Sequence, residues 1–168
     1  MNVASLLRHA ALTFPDRPAV VVGVCTYATY AQFAERAARL AGALCSSGLQ
    51  RGDRVALVMN NCKEYFEVLF GVLSAGLVAV TIKAGLGAEE YAAILKNSGA
   101  RYCIVTPGLA ETVASVKRNV EKIDAIVVTD TLEFRRLFSE EGKRPLDMSP
   151  EDPAWLIYTS TVSQKFCH

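Results

Sequence analysis

An α/β fold built on a largely parallel sheet is the class this sequence predicts, and three observations predict it. Short, continuously apolar runs alternate along the chain with segments whose apolar residues recur at helical spacing. The runs, such as Arg54 to Met59 and Leu77 to Ile82, show no polar face, as strands covered on both sides require. The 168 residues are 51% hydrophobic and 21% charged, enough apolar surface to close one sizeable core.

The elements follow in order. Met1 to Phe14 reads as an amphipathic helix with Val3, Leu6, Leu7, Ala10 and Ala11 on one face, broken by Pro15-Asp16-Arg17-Pro18. Ala19 to Val22 and Cys25 to Ala28 flank Gly23-Val24 as a hairpin. Thr29 and Gln32 form a capping box that starts a long helix, whose apolar face is Tyr30, Phe33, Ala34, Ala37, Leu40, Ala41 and Leu44. Gly48 ends it, and Gly52-Asp53 turns the chain into the strand Arg54 to Met59. A second helix runs from Lys63 to Ala75, with Phe66, Leu69, Phe70 and Leu73 at i, i+3, i+4 and i+7. Gly76 stops it before the strand Leu77 to Ile82. Helices at Glu89 to Asn97 and Leu109 to Lys122 precede the strands Arg101 to Thr106 and Ala125 to Val128. A short helix at Leu132 to Phe138, a polar connection from Glu140 to Pro153 and the apolar strand Ala154 to Thr159 complete the series.

Charge excludes some functions. Eighteen Lys plus Arg against 17 Asp plus Glu leave +1, which is neither the signature of a disordered chain nor a footprint for nucleic acid. The uncharged apolar stretch Val68 to Ile82 is 15 residues, short of the roughly 20 that span a bilayer. Five cysteines (Cys25, Cys45, Cys62, Cys103, Cys167) include no C-x-x-C pair and read as buried, reduced thiols. A cytoplasmic location follows. Arg8 and Ser5, with no acid before Asp16, make a mitochondrial transit segment the alternative to a first helix.

Few residues offer chemistry. Gly85-Leu86-Gly87-Ala88-Glu89-Glu90 follows a strand and opens a helix, but Glu90 stands where a dinucleotide fingerprint needs its third glycine; a plain turn is expected. His9 and His168 lie at the chain ends, and Ser74 and Ser98 lack the glycine elbow of a hydrolase nucleophile. Trp155 reads as a core or core-edge residue. The last strand, Trp155-Leu156-Ile157-Tyr158, emerges into Thr159 and Ser160, and strand-to-loop hydroxyls are where phosphate cradles are built. With no glycine among the eight residues that follow, this is half a phosphate loop.

Asp152-Pro153-Ala154-Trp155-Leu156-Ile157-Tyr158-Thr159-Ser160 resembles the lead-in to the phosphate-binding motif of the adenylate-forming enzymes: acyl-CoA synthetases, luciferases and peptide-synthetase adenylation domains. Matching segments stand upstream in the family's order: Thr29 to Phe33, Gly52 to Leu57 with Asn60, Leu73 to Val80, Glu89-Glu90-Tyr91, Ile94-Leu95 and Ser98-Gly99-Ala100. The resemblance covers residues 3–160 and implies the first subdomain of that family's large domain, followed by a divergent tail at 161–168. It implies a parent enzyme that activates a carboxylic acid with ATP and Mg²⁺ as an acyl-adenylate and passes the acyl group to coenzyme A, as in fatty-acid metabolism. In this chain it assigns only Thr159 and Ser160 to the ATP phosphates, and no catalytic or metal-binding residue.

The departures carry weight too. Thr161 and Gln164 stand for motif glycines, Phe166 for its proline and Cys167 for its lysine, and Lys165 falls one position before the proline site. The stretch after the second core motif, rich in proline in the family, reads Thr81-Ile82-Lys83-Ala84-Gly85. Loss of similarity after Ser160 suggests a truncation, a frameshift or an alternative splice end, and a chain inactive by itself. The alternative is a non-catalytic interaction fragment that associates with itself or a full-length relative through exposed apolar surface; a third reading is a free-standing nucleotide-binding domain.

Overall fold

The computed structural model describes residues 2–118, 120 and 122–158. The first helix, α1 (Ala4–Thr13), is tied down at its start by Asn2, whose side-chain amide donates to the Leu73 carbonyl at 2.6 Å and the Leu146 carbonyl at 3.0 Å. Strands β1 (Pro18–Val22) and β2 (Cys25–Thr29) form the antiparallel hairpin. Helix α2 (Tyr30–Ser46) opens on the expected capping box: Thr29 Oγ1 accepts the Gln32 N–H and Gln32 Oε1 accepts the Thr29 N–H at 3.0 Å.

From there strand and helix alternate: β3 (Arg54–Val58), α3 (Glu64–Ser74), β4 (Val78–Ile82), α4 (Ala88–Ser98), β5 (Tyr102–Val105), α5 (Ala110–Lys117), β6 (Ala125–Val128), α6 (Leu132–Arg136) and β7 (Trp155–Ile157). The five strands β3 to β7 make one sheet in the order β6-β5-β3-β4-β7, every pair parallel. The α/β class with an N-terminal hairpin is therefore what the sequence folds into.

The strands lack a polar side because both faces are covered. Val55, Leu57, Ala79, Tyr102 and Ile104 pack beneath α2 and α3, on Leu40, Leu44, Val68 and Val72. Ala56, Val58, Val80, Cys103 and Val105 pack on the other face against Tyr91 and Leu95 of α4 and Val113 and Val116 of α5. The hairpin adds a smaller cluster, Leu7, Val20, Ala28, Phe33 and Ala37. Within the first layer, fully buried Glu67 is held by Arg36 through Nε–Oε1 at 2.5 Å and Nη2–Oε2 at 2.9 Å, and the guanidinium lies 4.2 Å from the Phe138 ring centre. This bidentate pair neutralises a charge that burial alone would make costly.

The connection from 139 to 153 is a strap across the foot of the α2–α3 layer. Lys143 N–H bonds the Ala38 carbonyl at 2.9 Å, Leu146 N–H bonds the Ser74 carbonyl at 2.8 Å, and Arg51 pairs with Asp152. Gly42 makes the crossing possible, since a Cβ there would sit 2.1 Å from the Glu141 carbonyl oxygen.

Three expectations need correction. On α1 only Ala4 and Leu7 are buried; Val3 and Leu6 face solvent, because the helix meets α2 and α3 along a narrow seam. Phe66 is half exposed while Leu69 and Leu73 of the same stripe are buried, and Glu67 is buried beside them because Arg36 pairs with its carboxylate. The helix expected over Leu109 to Lys122 is a 3₁₀ turn at Pro107–Leu109 followed by α5, which stops at Lys117, while buried Val120 and Ile123 continue the cover past its end. Of the cysteines, Cys103 is buried, Cys25 is exposed, Cys45 and Cys62 lie between, all four as free thiols; Cys167 lies outside the described residues.

Candidate functional site

In an open parallel sheet, ligands bind at the carboxyl ends of strands, where successive connections leave toward opposite faces. Here the chain leaves β3 for α3 on one face and leaves β4 for α4 on the other. A cavity of 440 Å³ opens between these connections and the end of β7, lined by Met59, Asn60, Asn61, Tyr65, Thr81, Lys83 and Tyr158 among others.

Each polar member is positioned by an element behind it. Asn60 follows β3, and its backbone N–H and side-chain amide both donate to Thr106 Oγ1, at 3.2 and 3.3 Å, at the end of β5. The loop after β4 hangs on Tyr91 of α4, a fully buried side chain whose hydroxyl donates to the Lys83 carbonyl at 3.3 Å and accepts the Gly85 N–H at 3.1 Å. Gly85 adopts φ +83°, the left-handed region that glycine enters without strain. Tyr158, leaving β7, donates its hydroxyl to Asn97 Oδ1 at 2.6 Å.

Electrostatically the crevice has one charge. Lys83 is the sole ionisable cation or anion at neutral pH among its described lining residues. Burial raises the Tyr65 and Tyr158 phenols above their ordinary values, so both stay protonated. Just behind, the Cys62 thiol is pushed up to about 11 by burial, with Glu64 adding to the rise, which makes it a poor nucleophile. Among the described residues no group of three His, Cys, Asp or Glu side chains is placed to hold a metal ion.

Thr159 and Ser160 lie outside the described residues; Tyr158, immediately before them, delivers the chain to the crevice. The Gly85–Glu90 segment is a turn, as expected: Glu90 Oε2 accepts the Gly87 N–H at 3.0 Å, so the helix's own carboxylate occupies the place a phosphate would take. Sequence reasoning passed over the roles of Asn60, Tyr91 and Lys83. Asn60 and Tyr91 stood inside family-like segments, and Lys83 stood among the departures, which was the signal available.

The profile of the AMP-binding enzyme family matches residues 7–161. Among curated relatives, the long-chain-fatty-acid–CoA ligase FadD13 of Mycobacterium tuberculosis is 29% identical over 163 residues, which are 95% of this chain and 32% of that protein. A feruloyl-CoA synthase of Amycolatopsis is 44% identical over 91 residues, 54% of this chain and 18% of that protein. Among solved structures, the N-terminal domain of FACL13 from Mycobacterium tuberculosis superposes with a TM-score of 0.87 at 30% identity, covering 96% of this chain and 42% of that one. The chain thus spans well under half the length of the relatives it matches.

Proposed function

This chain belongs to the AMP-binding enzyme family, and from that premise we propose that it forms the first part of an adenylating domain, residues 1–160, with 161–168 a divergent tail. The whole enzyme activates a carboxylic acid with ATP and Mg²⁺ and transfers the acyl group to coenzyme A. This part contributes the sheet, its covering helices and, at Thr159 and Ser160, the first contacts to the ATP phosphates.

One observation carries the reading. The crevice at the carboxyl ends of β3, β4 and β7 offers amides, an ammonium and a strand leading to two hydroxyl residues, within a fold of which 96% matches part of the N-terminal domain of FACL13. Asn60, Asn61 and Lys83 suit phosphate oxygens, and among the described residues no group of three His, Cys, Asp or Glu side chains fits a metal ion. When bound, ATP supplies the electrophilic α-phosphorus. The chain's own residues bind and orient: Thr106 fixes Asn60, Tyr91 fixes the Lys83 loop and Asn97 fixes Tyr158. No residue here is assigned to proton transfer.

A chimera tests the reading. Residues 3–158, placed in the M. tuberculosis FadD13 ligase in exchange for the matching segment, are expected to preserve fatty-acid-dependent ATP–pyrophosphate exchange, while the isolated chain shows none. A folded chimera without exchange, or exchange by the chain alone, contradicts it.

A second reading has its own support. Trp155 and Ile157 of β7 are 45% and 69% exposed, an apolar surface on the sheet's edge strand suited to self-association or to docking on a full-length relative, as a non-catalytic fragment would. Light scattering that finds a monomer at every concentration argues against it. Among the described residues no helix is long and apolar enough to cross a membrane; a cytoplasmic location remains part of the proposal.

A further inference from the structure

A second concavity shares no lining residue with the crevice. It is a groove of 290 Å³ between α1, α2 and the strap, open to solvent. Ala11 of α1 and Ala31, Ala34 and Ala38 of α2 offer it only methyl groups, and Leu12 beside them is 67% exposed. The strap is a fixed wall. Lys143 N–H bonds the Ala38 carbonyl at 2.9 Å, and a Cβ on Gly142 would stand 3.2 Å from the Ala38 Cβ.

Charge on this lining is one-sided. Arg8 on α1 and Lys143 and Arg144 on the strap are exposed, and none of the ion pairs among the described residues includes them. The lining's acid, Glu35, is already held by Arg39 Nε and Nη2 at 3.0 and 2.8 Å. An apolar floor between cationic walls complements an apolar stripe flanked by acids.

Two features favour a helix over a free alkyl chain. Ser74 lines the groove at 4% exposure, and among the described residues no hydrogen bond uses its hydroxyl. A bare hydrocarbon would cover that hydroxyl without an acceptor, whereas a side chain ending in oxygen covers and pairs it. The second is shape. Lining residues on α1 run from Ala4 to Leu12, about 12 Å of helix at 1.5 Å per residue. Sites that enclose a small ligand hold about 300–1,000 Å³, and this groove is smaller and open. A helix laid along it needs to bury only one stripe, through anchors at i, i+3, i+4 and i+7.

We propose that the groove between α1, α2 and the strap docks a short amphipathic helix of a partner protein, its apolar stripe on the alanines and Leu12 and its flanking acids against Arg8, Lys143 and Arg144. The adenylating reading is not needed for it. The charged contacts are solvated, so binding weakens as salt rises.

Fluorescence anisotropy of the full chain with two labelled helical peptides of about fifteen residues tests this. Both carry leucine at i, i+3, i+4 and i+7; one has glutamate beside that stripe and the other lysine. The chain's net charge of +1 gives the glutamate peptide little general attraction, so a preference for it reports a local site. The unaltered chain is expected to bind the glutamate peptide at least tenfold more tightly than the lysine peptide. Arg8→Glu and Arg144→Glu, on opposite walls, are each expected to weaken it about three- to tenfold, and Lys96→Glu, the same charge change on exposed Lys96 of α4, to leave it unchanged. Circular dichroism checks that each variant is folded, and the preference between peptides needs no variant. No binding, or equal affinity for the two peptides, overturns the proposal. So does equal weakening in Lys96→Glu, which reduces the effect to net charge. Decanoate that displaces the glutamate peptide assigns the groove to an alkyl ligand instead. Self-association by light scattering that both groove variants abolish assigns it to a second copy, and either result overturns the partner helix.

Discussion

The middle of the sheet and its β7 edge are written in similarly apolar sequence but come to rest in different surroundings. Val55 to Val58 on β3 and Cys103 to Val105 on β5 are 0% exposed, whereas Trp155 and Ile157 on β7 are 45% and 69% exposed. Leu156 on β7 and Tyr158 just after it turn toward the covered side, where they meet the layer under α4. An apolar run therefore states that a strand wants cover on both faces. It does not state which element supplies the cover. In the middle, α2 and α3 lie over one face and α4 and α5 over the other; at β7 one of the two layers stops short.

The strongest way to break this contrast is to cut a side chain from the middle. Ile104→Ala removes buried methyl groups from a site packed on all sides and should cost about 2–5 kcal/mol, read as a shift of the urea midpoint. A loss below about 1 kcal/mol would place the core elsewhere.

Alkaline pH sharpens the same contrast. Burial pushes the Cys103 thiol from 9.0 up to about 12, and burial, with Glu133 adding, pushes the Tyr102 phenol from 10.0 to about 12. Both groups hold their protons more tightly folded than unfolded. Their stabilising contribution is complete below about pH 9 and is lost as pH climbs toward 12, by at most about 1.4 kcal/mol per pH unit for each group. Denaturation midpoints measured from pH 8 to 10.5 should fall, and fall less in Cys103→Val than in the unaltered chain. Identical slopes would mean that the β5 thiol is not buried as described.

Much of this was legible in the residues. Periodicity located every strand of the sheet to within about two residues, because a strand buried on both faces must be apolar throughout and glycines such as Gly48 and Gly76 mark where helices stop. The Thr29–Gln32 box was legible because capping is local chemistry. The long-range pieces were not. Glu67 at 0% exposure has no signal in α3, since what permits it is Arg36, 31 positions earlier. The strap over Gly42 depends on an approach by Glu141 that composition cannot announce. The crevice was half visible: Tyr158 and the two hydroxyls beyond it carried a motif, but Lys83 and Asn60 line one cavity only because β3 and β4 are neighbours.

The smallest expected effect lies at the edge itself. Ile157→Thr keeps a β-branched residue on β7, so backbone preference is little changed, and it removes apolar surface that is already 69% in water. Stability should move by no more than about 0.5 kcal/mol, against several for Ile104→Ala. A cost above about 1 kcal/mol would mean that something covers Ile157 in solution. The protein's one tryptophan, Trp155, stands two residues away on the same face and reports which. If a second copy supplies the cover, tryptophan emission shifts to the blue as concentration rises and Ile157→Thr abolishes the shift. Emission that stays constant on dilution leaves the edge bare, and the contrast with the middle of the sheet holds.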